Sequence, residues 1–461
     1  MSAAEAPVLL GRICSSWRAI SLTTPRLWSR LHIVEPSPSH SGSHFASDGA
    51  ILEEKLAQRL ETTQIWLGRS GQCPLSISLH GSHWEHLQGD VLVSKTPLFM
   101  GAIIPFTSRW ENITLRVAST TVLETLSGLT ENDVPRLQRL VLGFPGETTP
   151  QPMFSLLRAP RLSDFTLESA QANIQHLPIR WENLTHLSLR NFHTLTCPIV
   201  LQLLSSSSQL QCCSFHFNEQ VALPLVDGAG STIALPFLHS LQISSLGQVV
   251  NGIEILFGRL LVVRLRHLHL SGHLGIGLEN LESSFTTHLL TFLGVSSCFE
   301  TLKIDTSAFN TSSLTDLLRG LPSSTTCLRI DDGHSWGFTH RGGIFDDAAM
   351  AVLTPTPENP VSCPVLQELR IANCTFASDA ALLRFIRARL TASPNTLKKV
   401  MIKCDREMQV DIGQDIKPFL DDGRIRVVTR YAQPRRSFSP WQGLPDAPEM
   451  VKISRIIEGD V

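Results

Sequence analysis

Charge is scarce in this chain of 461 residues: Asp, Glu, Lys and Arg together make up only 17%, against about a quarter in ordinary domains. The formal net charge is −2, so no electrostatic footprint for DNA, RNA or an anionic membrane is expected. The basic pair Arg435-Arg436 is too small to change that. Long apolar runs are missing as well. No uncharged apolar stretch reaches 18 residues, and Ile255 to Val263 is interrupted by Arg259, which argues against a membrane-spanning helix. No basic region followed by an apolar run opens the chain, so no signal peptide is expected. The compartment this implies is the cytoplasm, the nucleus or both.

The ten cysteines include no CxxC pair, and the chain is far larger than disulfide-dependent miniproteins, so reduced core thiols are expected. The adjacent Cys212 and Cys213 should point to opposite faces of a strand. Sequons at Asn112, Asn183, Asn310 and Asn373 carry no glycosylation meaning in a chain that stays out of the secretory pathway. No Gly-x-x-x-x-Gly-Lys-Ser/Thr loop is present, and Gly272 to Gly277 falls short of a dinucleotide fingerprint. Nothing in the sequence asks for a cofactor.

Five motifs offer chemistry, and each has a plainer account. Gly333-His334-Ser335-Trp336-Gly337 has the spacing of a nucleophile elbow after a strand-like Cys327 to Ile330. A serine hydrolase using Ser335 is the enzymatic alternative it raises. The chain's last histidine, His340, lies only five residues beyond Ser335, where the base of such an enzyme cannot sit, so a Gly-rich loop between repeats is preferred. His80, His83 and His86 are spaced like metal ligands, but their neighbours read as a surface loop. His267, His269 and His273 alternate on a strand and read as solvent-facing. The pairs Asp331-Asp332 and Asp346-Asp347 read as exposed loop acids. No catalytic, cofactor or metal residue is assigned.

What the chain has in quantity is a recurring triplet, Leu-x-x-Leu-x-Leu. Clear copies are Leu137-Leu140-Leu142, Leu162-Phe165-Leu167, Leu184-Leu187-Leu189, Leu238-Leu241-Ile243, Leu265-Leu268-Leu270, Phe299-Leu302-Ile304, Leu366-Leu369-Ile371 and Leu397-Val400-Ile402. Weaker ones are Ile113-Leu115, Leu210-Cys213-Phe215 and Leu328-Ile330. The last two members of a copy lie two apart, so they share one strand face. Most copies recur every 22 to 28 residues, with gaps of 34, 41 and 31 toward the C-terminus. That period predicts an α/β leucine-rich-repeat-like solenoid, a curved parallel sheet with outer helices. Pro198 to Leu204 and Ala380 to Ile386 are candidate outer helices. The expected organisation is a helical module over 1–36, a linker over 37–50 and a capping helix over 51–72. The repeat domain then spans 73–430, from a first strand at Leu75 to Leu79 to a last helix at Ile416 to Leu420 and a last strand at Ile425 to Thr429. A flexible tail occupies 431–461.

The N-terminal segment carries the most specific wording. Ile13, Trp17 and Ile20 fall at i, i+4 and i+7, one face of a short helix. Thr24 and Pro25 read as N-cap and first position of a second helix at Leu27-Trp28. Two Trp on helices too short to stand alone need a partner surface. Cys14-Ser15-Ser16-Trp17-Arg18 followed by Ser21 to Trp28 resembles the second half of an F-box, over roughly residues 8 to 34. Ile65 to Leu79 resembles the segment that follows the F-box in the large F-box families of mushroom-forming fungi. Met1 to Ala6 is too short for the Leu-Pro-containing helix with which an F-box usually opens. The resemblance implies a non-enzymatic substrate receptor that brings a target protein, held by the repeats, to a cullin-type ubiquitin ligase through an adaptor. It places the adaptor-docking module on Leu9, Leu10, Ile13, Trp17, Ile20, Pro25, Leu27 and Trp28, with the two Trp nearer the module's core. A free-standing repeat scaffold without ligase coupling is the rival reading. Neither nucleic acid nor membrane is expected as a partner.

Overall fold

The computed structural model describes residues 7–36, 45–81, 95–117, 119–144, 154–169, 174–192, 195–217, 231–245, 252–272, 282–333, 343–356, 362–392 and 395–432. Its strands begin with β1 (Arg30–Val34), β2 (Leu75–His80), β3 (Trp110–Arg116), β4 (Arg139–Phe144), β5 (Asp164–Ser169), β6 (His186–Phe192) and β7 (Cys212–Phe217). A two-residue β8 (Ile233–Ala234) precedes β9 (Ser240–Ser245), and a two-residue β10 (Leu260–Leu261) precedes β11 (His267–Ser271). The series ends with β12 (Thr301–Asp305), β13 (Cys327–Asp331), β14 (Glu368–Cys374), β15 (Lys399–Cys404) and β16 (Arg426–Arg430). All but β8 and β10 join one parallel sheet of 14 strands in chain order, while β8 and β10 pair with each other.

Strand order this regular follows from the triplet. Its second members face one another in register from Leu140 through Phe165, Leu187, Cys213, Leu241, Leu268, Leu302, Leu328 and Leu369 to Val400. Every one of these side chains is buried, as are the first members, Leu137 to Leu397. A one-residue slip on any strand would send its row to solvent, so the register is strongly specified. Each buried Leu contributes on the order of 1.5–3 kcal/mol relative to exposure.

Parallel neighbours need crossovers. Helices serve most of them: α3 (Phe45–Arg69), α4 (Thr96–Ile103), α5 (Thr120–Ser127), α6 (Cys197–Ser205), α7 (Ile253–Arg259) and α8 (Glu282–Gly294), then α9 (Thr311–Gly320), α10 (Asp347–Leu353), α11 (Asp379–Thr391) and α12 (Gly413–Asp421). Short 3₁₀ turns at Ser155–Arg158 and at Ile174–His176 and Trp181–Asn183 replace them between β4 and β6. Local chemistry explains several boundaries. Pro198 sits in the first turn of α6, where its missing N–H costs nothing. Asn310 caps α9 in a reciprocal box with Ser313. No helix among the described residues is long and apolar enough to cross a membrane.

Two expectations need correction. The sheet does not begin at residue 75: Leu31 and Ile33 of β1 pair in register with Ile77 and Leu79 of β2 and are buried with them. The segment expected as a separate helical module therefore supplies the first strand. Consequently α3 is no end cap but the crossover from β1 to β2, and it starts at Phe45, inside the expected linker. Linker residues 37–44 and tail residues 433–461 lie outside the described residues.

Candidate functional site

Ahead of β1 lie α1 (Val8–Ile13) and α2 (Ser15–Thr23), then a single 3₁₀ turn, Pro25–Trp28. Ile13, Trp17 and Ile20 do not share one helix. Cys14 is extended, with φ −159° and ψ 174°, so Ile13 closes α1 while Trp17 and Ile20 ride on α2. The two serines after Cys14 favour such a break, because their hydroxyls compete for local backbone groups. The second expected helix forms only as that 3₁₀ turn, with Pro25 at its first position but no side-chain cap. Thr24 does not cap it; its hydroxyl donates back to the Ile20 carbonyl at 2.7 Å, and the chain passes from Trp28 almost directly into β1.

The eight residues assigned to docking separate into two groups. Leu9, Ile13, Trp17 and Ile20 are 43%, 57%, 45% and 52% exposed, Pro25 is exposed, and Leu10 is half-buried. Leu27 packs partly buried against the core. Trp28 is buried and belongs to the solenoid, because Trp28-x-x-Leu31-x-Ile33 is itself a triplet. Its ring meets Trp66 of α3 edge-on at 4.9 Å, with the Arg69 guanidinium 4.7 Å over it. The Trp28 indole N–H donates to the Ser21 carbonyl at 2.7 Å, and the Ser21 hydroxyl donates to the Pro7 carbonyl at 3.1 Å. Trp28 thus pins an otherwise thinly packed helix pair to the end of the sheet.

The second candidate surface is the sheet face opposite the buried rows. Uncharged polar residues hold most of its middle along β2 to β9, Ser78, Thr114, Thr166, Ser188, Ser214 and Gln242, with the apolar Val141 of β4 between Thr114 and Thr166. From β11 to β14 the same row holds His269, Lys303, Arg329 and Arg370, adjacent in register, before Met401 and Val428 close it. Burial pushes the His269 imidazole down to about 4, helped by Lys303 and Arg329, so it is neutral at physiological pH. Burial first, then Arg329, also lowers the Lys303 ammonium. His267 is exposed and His269 half-buried; His273 lies outside the described residues. At the rim where β7, β9 and β11 begin, Phe237, His239, Arg264, Arg266 and His267 line a cleft of about 600 Å³.

Asp332 overturns its reading as an exposed loop acid. It is fully buried, and its Oδ1 accepts from the Ile344 and Phe345 amides at 2.8 and 2.9 Å and from the Thr306 hydroxyl at 3.1 Å. It ties the return of the loop after β13. Gly343 is required there, since a Cβ would stand 2.1 Å from Asp332 Oδ2. Asp346 likewise caps α10 through the Ala349 amide, and Asp347 accepts from Ser378. Asp331 is half-buried and accepts from Asn373 at 2.7 Å. Ser335, His83 and His86 lie outside the described residues, and no group of three His, Cys, Asp or Glu able to hold a metal occurs among the described ones. Cys213 is buried and Cys212 half-exposed on the opposite face, as strand alternation requires; burial pushes the Cys213 thiol far up.

The basic stretch escaped sequence reading, because its members come from strands a whole repeat apart and form no run. The unexpected β1 did leave a signal, the triplet at Trp28.

Neither a family model nor a curated protein matches the chain. Among solved structures it is similar to TLR13 in a complex with ssRNA13, at 12% identity and a TM-score of 0.36, over 71% of this chain and 46% of that one. It is also similar to an internalin (inlF) from Listeria monocytogenes, at 12% identity and a TM-score of 0.30, over 76% of this chain and 87% of that one. The chain thus spans under half the length of the TLR13 chain. The continuous parallel sheet, its in-register buried rows and its outer helices are those of a leucine-rich-repeat-like solenoid.

Proposed function

We propose that this protein is a non-enzymatic receptor: the open face of its sheet grips a target protein, and α1 with α2 docks the adaptor of a cullin-type ubiquitin ligase. The observation that carries the reading is the apolar surface on α1 and α2. Neither helix buries a large side chain, while Leu9, Ile13, Trp17, Ile20 and Leu22 are each exposed. Short helices that offer their apolar side to water are stabilised by a partner surface. The resemblance of residues 8 to 34 to the second half of an F-box names that partner's class. The mechanism is positional. Trp28 fixes the helix pair to the first repeat, so the distance from adaptor to gripped target is set by a stack of strands, with no bond made or broken by this chain.

Retention of the adaptor on the immobilised full chain tests the docking. Ile13→Asp combined with Trp17→Ala should abolish retention and leave the melting temperature within about 2 °C, because exposed positions contribute little to stability. No retention by the unaltered chain would overturn ligase coupling in favour of a free-standing repeat scaffold.

A further inference from the structure

We infer that the open face of β12 to β16 is the seat of an extended acidic segment of a partner protein. This rests on the reading that the sheet face grips a partner, and it supplies that partner's chemistry. Lys303, Arg329 and Arg370 stand side by side in register. Lys399 and Lys403 on β15 and Arg426 and Arg430 on β16 continue the field. Three carboxylates share these positions, Asp305, Asp331 and Glu368. Seven cations less three carboxylates leave +4 on five strands, in a chain whose total is −2; the remainder therefore sums to −6.

That charge is poorly compensated from within. Glu368 is divided among Arg370, Arg329 at 3.6 Å and Lys399 at 3.8 Å. Lys403 lies 3.9 Å from Asp405 just past β15, whereas Lys303, Arg426 and Arg430 form no ion pair among the described residues. Like charges directly opposite one another on a sheet destabilise it, so the strip is held together by the fold and relieved by an incoming anion.

Geometry and chemistry narrow the occupant. Strands about 4.8 Å apart make the strip about 19 Å long, the reach of roughly six extended residues. None of the open-face positions on these five strands is aromatic, which removes the stacking platform that single-stranded nucleic acid uses. The interspersed carboxylates would meet a phosphate backbone at fixed points, whereas acidic residues in a peptide can be spaced to miss them. An acidic peptide segment fits better than RNA.

Fluorescence anisotropy on the full chain tests this, with labelled poly-glutamate and single-stranded oligo-uridylate as probes. Poly-glutamate should bind, and more weakly as salt is added. Lys303→Glu with Arg370→Glu should weaken it by about tenfold or more, the scale of losing close charge pairs, while Arg30→Glu on the first strand should change it by less than about twofold. If the charge reversal melts early, Lys303→Ala with Arg370→Ala reads the same loss without buried repulsion. Absence of poly-glutamate binding, or an equal loss in Arg30→Glu, overturns the proposal. Tighter binding of oligo-uridylate, lost in the same double variant, overturns it in favour of RNA. Adaptor retention depends on α1 and α2 alone, so its failure beside intact peptide binding strikes the docking reading and leaves this one standing.

Discussion

Asp332 directs one carboxylate oxygen to three donors, while its other oxygen, Oδ2, is buried without a partner. An unpartnered buried oxygen is where a proton is best placed. Burial pushes this carboxyl up from 3.8 to about 6, against the pull of the Phe345 and Ile344 amides, the Thr306 hydroxyl and the Thr375 amide. The sign follows from proton uptake. With the folded value above the unfolded one, stability is complete below about pH 4 and is lost as pH rises through about 6. Two units correspond to about 3 kcal/mol at most. Asp332→Asn keeps the Oδ1 acceptor and removes the titration. Urea unfolding at pH 4.5 and pH 7 should therefore show a smaller loss in the variant than in the parent, by about 1–3 kcal/mol. Equal losses would mean that Asp332 is ionised in the fold at both values. Asp379 has the opposite sign. It too is fully buried, and burial alone would raise it, but Arg406 at 2.6 Å and the Gln409 and Val410 amides hold it below the usual range. Its contribution is present above about pH 4 and disappears as pH falls.

At the scale of an element, the strand is the unit that either fits or fails. Leu187 of β6 lies in register between Phe165 and Cys213 and is 2% exposed. Leu187→Ala should cost about 2–5 kcal/mol in urea unfolding, the range for truncating a buried Leu; a loss below about 0.5 kcal/mol would show that the sheet collapses around it. Most strands were legible because their buried rows recur at one spacing whatever the crossover between them. The crossovers were less so. Between β4 and β6 the chain turns in 3₁₀ segments, whose few residues leave no helical period to read. Strand β1 was hidden by a competing signal. Trp28 fitted a docking helix as well as a triplet, and only its burial against Trp66 and the pairing of Leu31 with Ile77 decide between them. The two surfaces divide the same way. Exposed apolar positions on α1 and α2 follow from local spacing and wording, whereas the basic strip is a property of register. Arg329 and Arg370 are neighbours only because β13 and β14 pair, a fact with no trace in any window of sequence.

The whole molecule is a stack, so each strand's stability depends mainly on its two neighbours. Its ends differ. At the first, β1 is backed by Trp28, Trp66 and α3, with Leu31 and Ile33 fully buried. Among the described residues each end strand has a single neighbour, β1 pairing with β2 and β16 with β15, but at the last end Val427 and Val428 remain half-exposed. Opening should therefore start at β16 and reach the middle strands last. Native-state hydrogen exchange should find the amides of β16 least protected, those of β1 well above them and those of β5 to β7 highest. Equal protection at both ends would remove the asymmetry argued from Trp28. Because the basic strip runs onto β15 and β16, an acidic ligand would bind the end that opens most easily. A ligand that binds only the closed form adds protection as its concentration rises above its dissociation constant. Saturating poly-glutamate should thus slow exchange in β15 and β16 while leaving β1 to β4 unchanged. Slowing spread evenly along the sheet would mean that the peptide acts on global unfolding rather than at this strip.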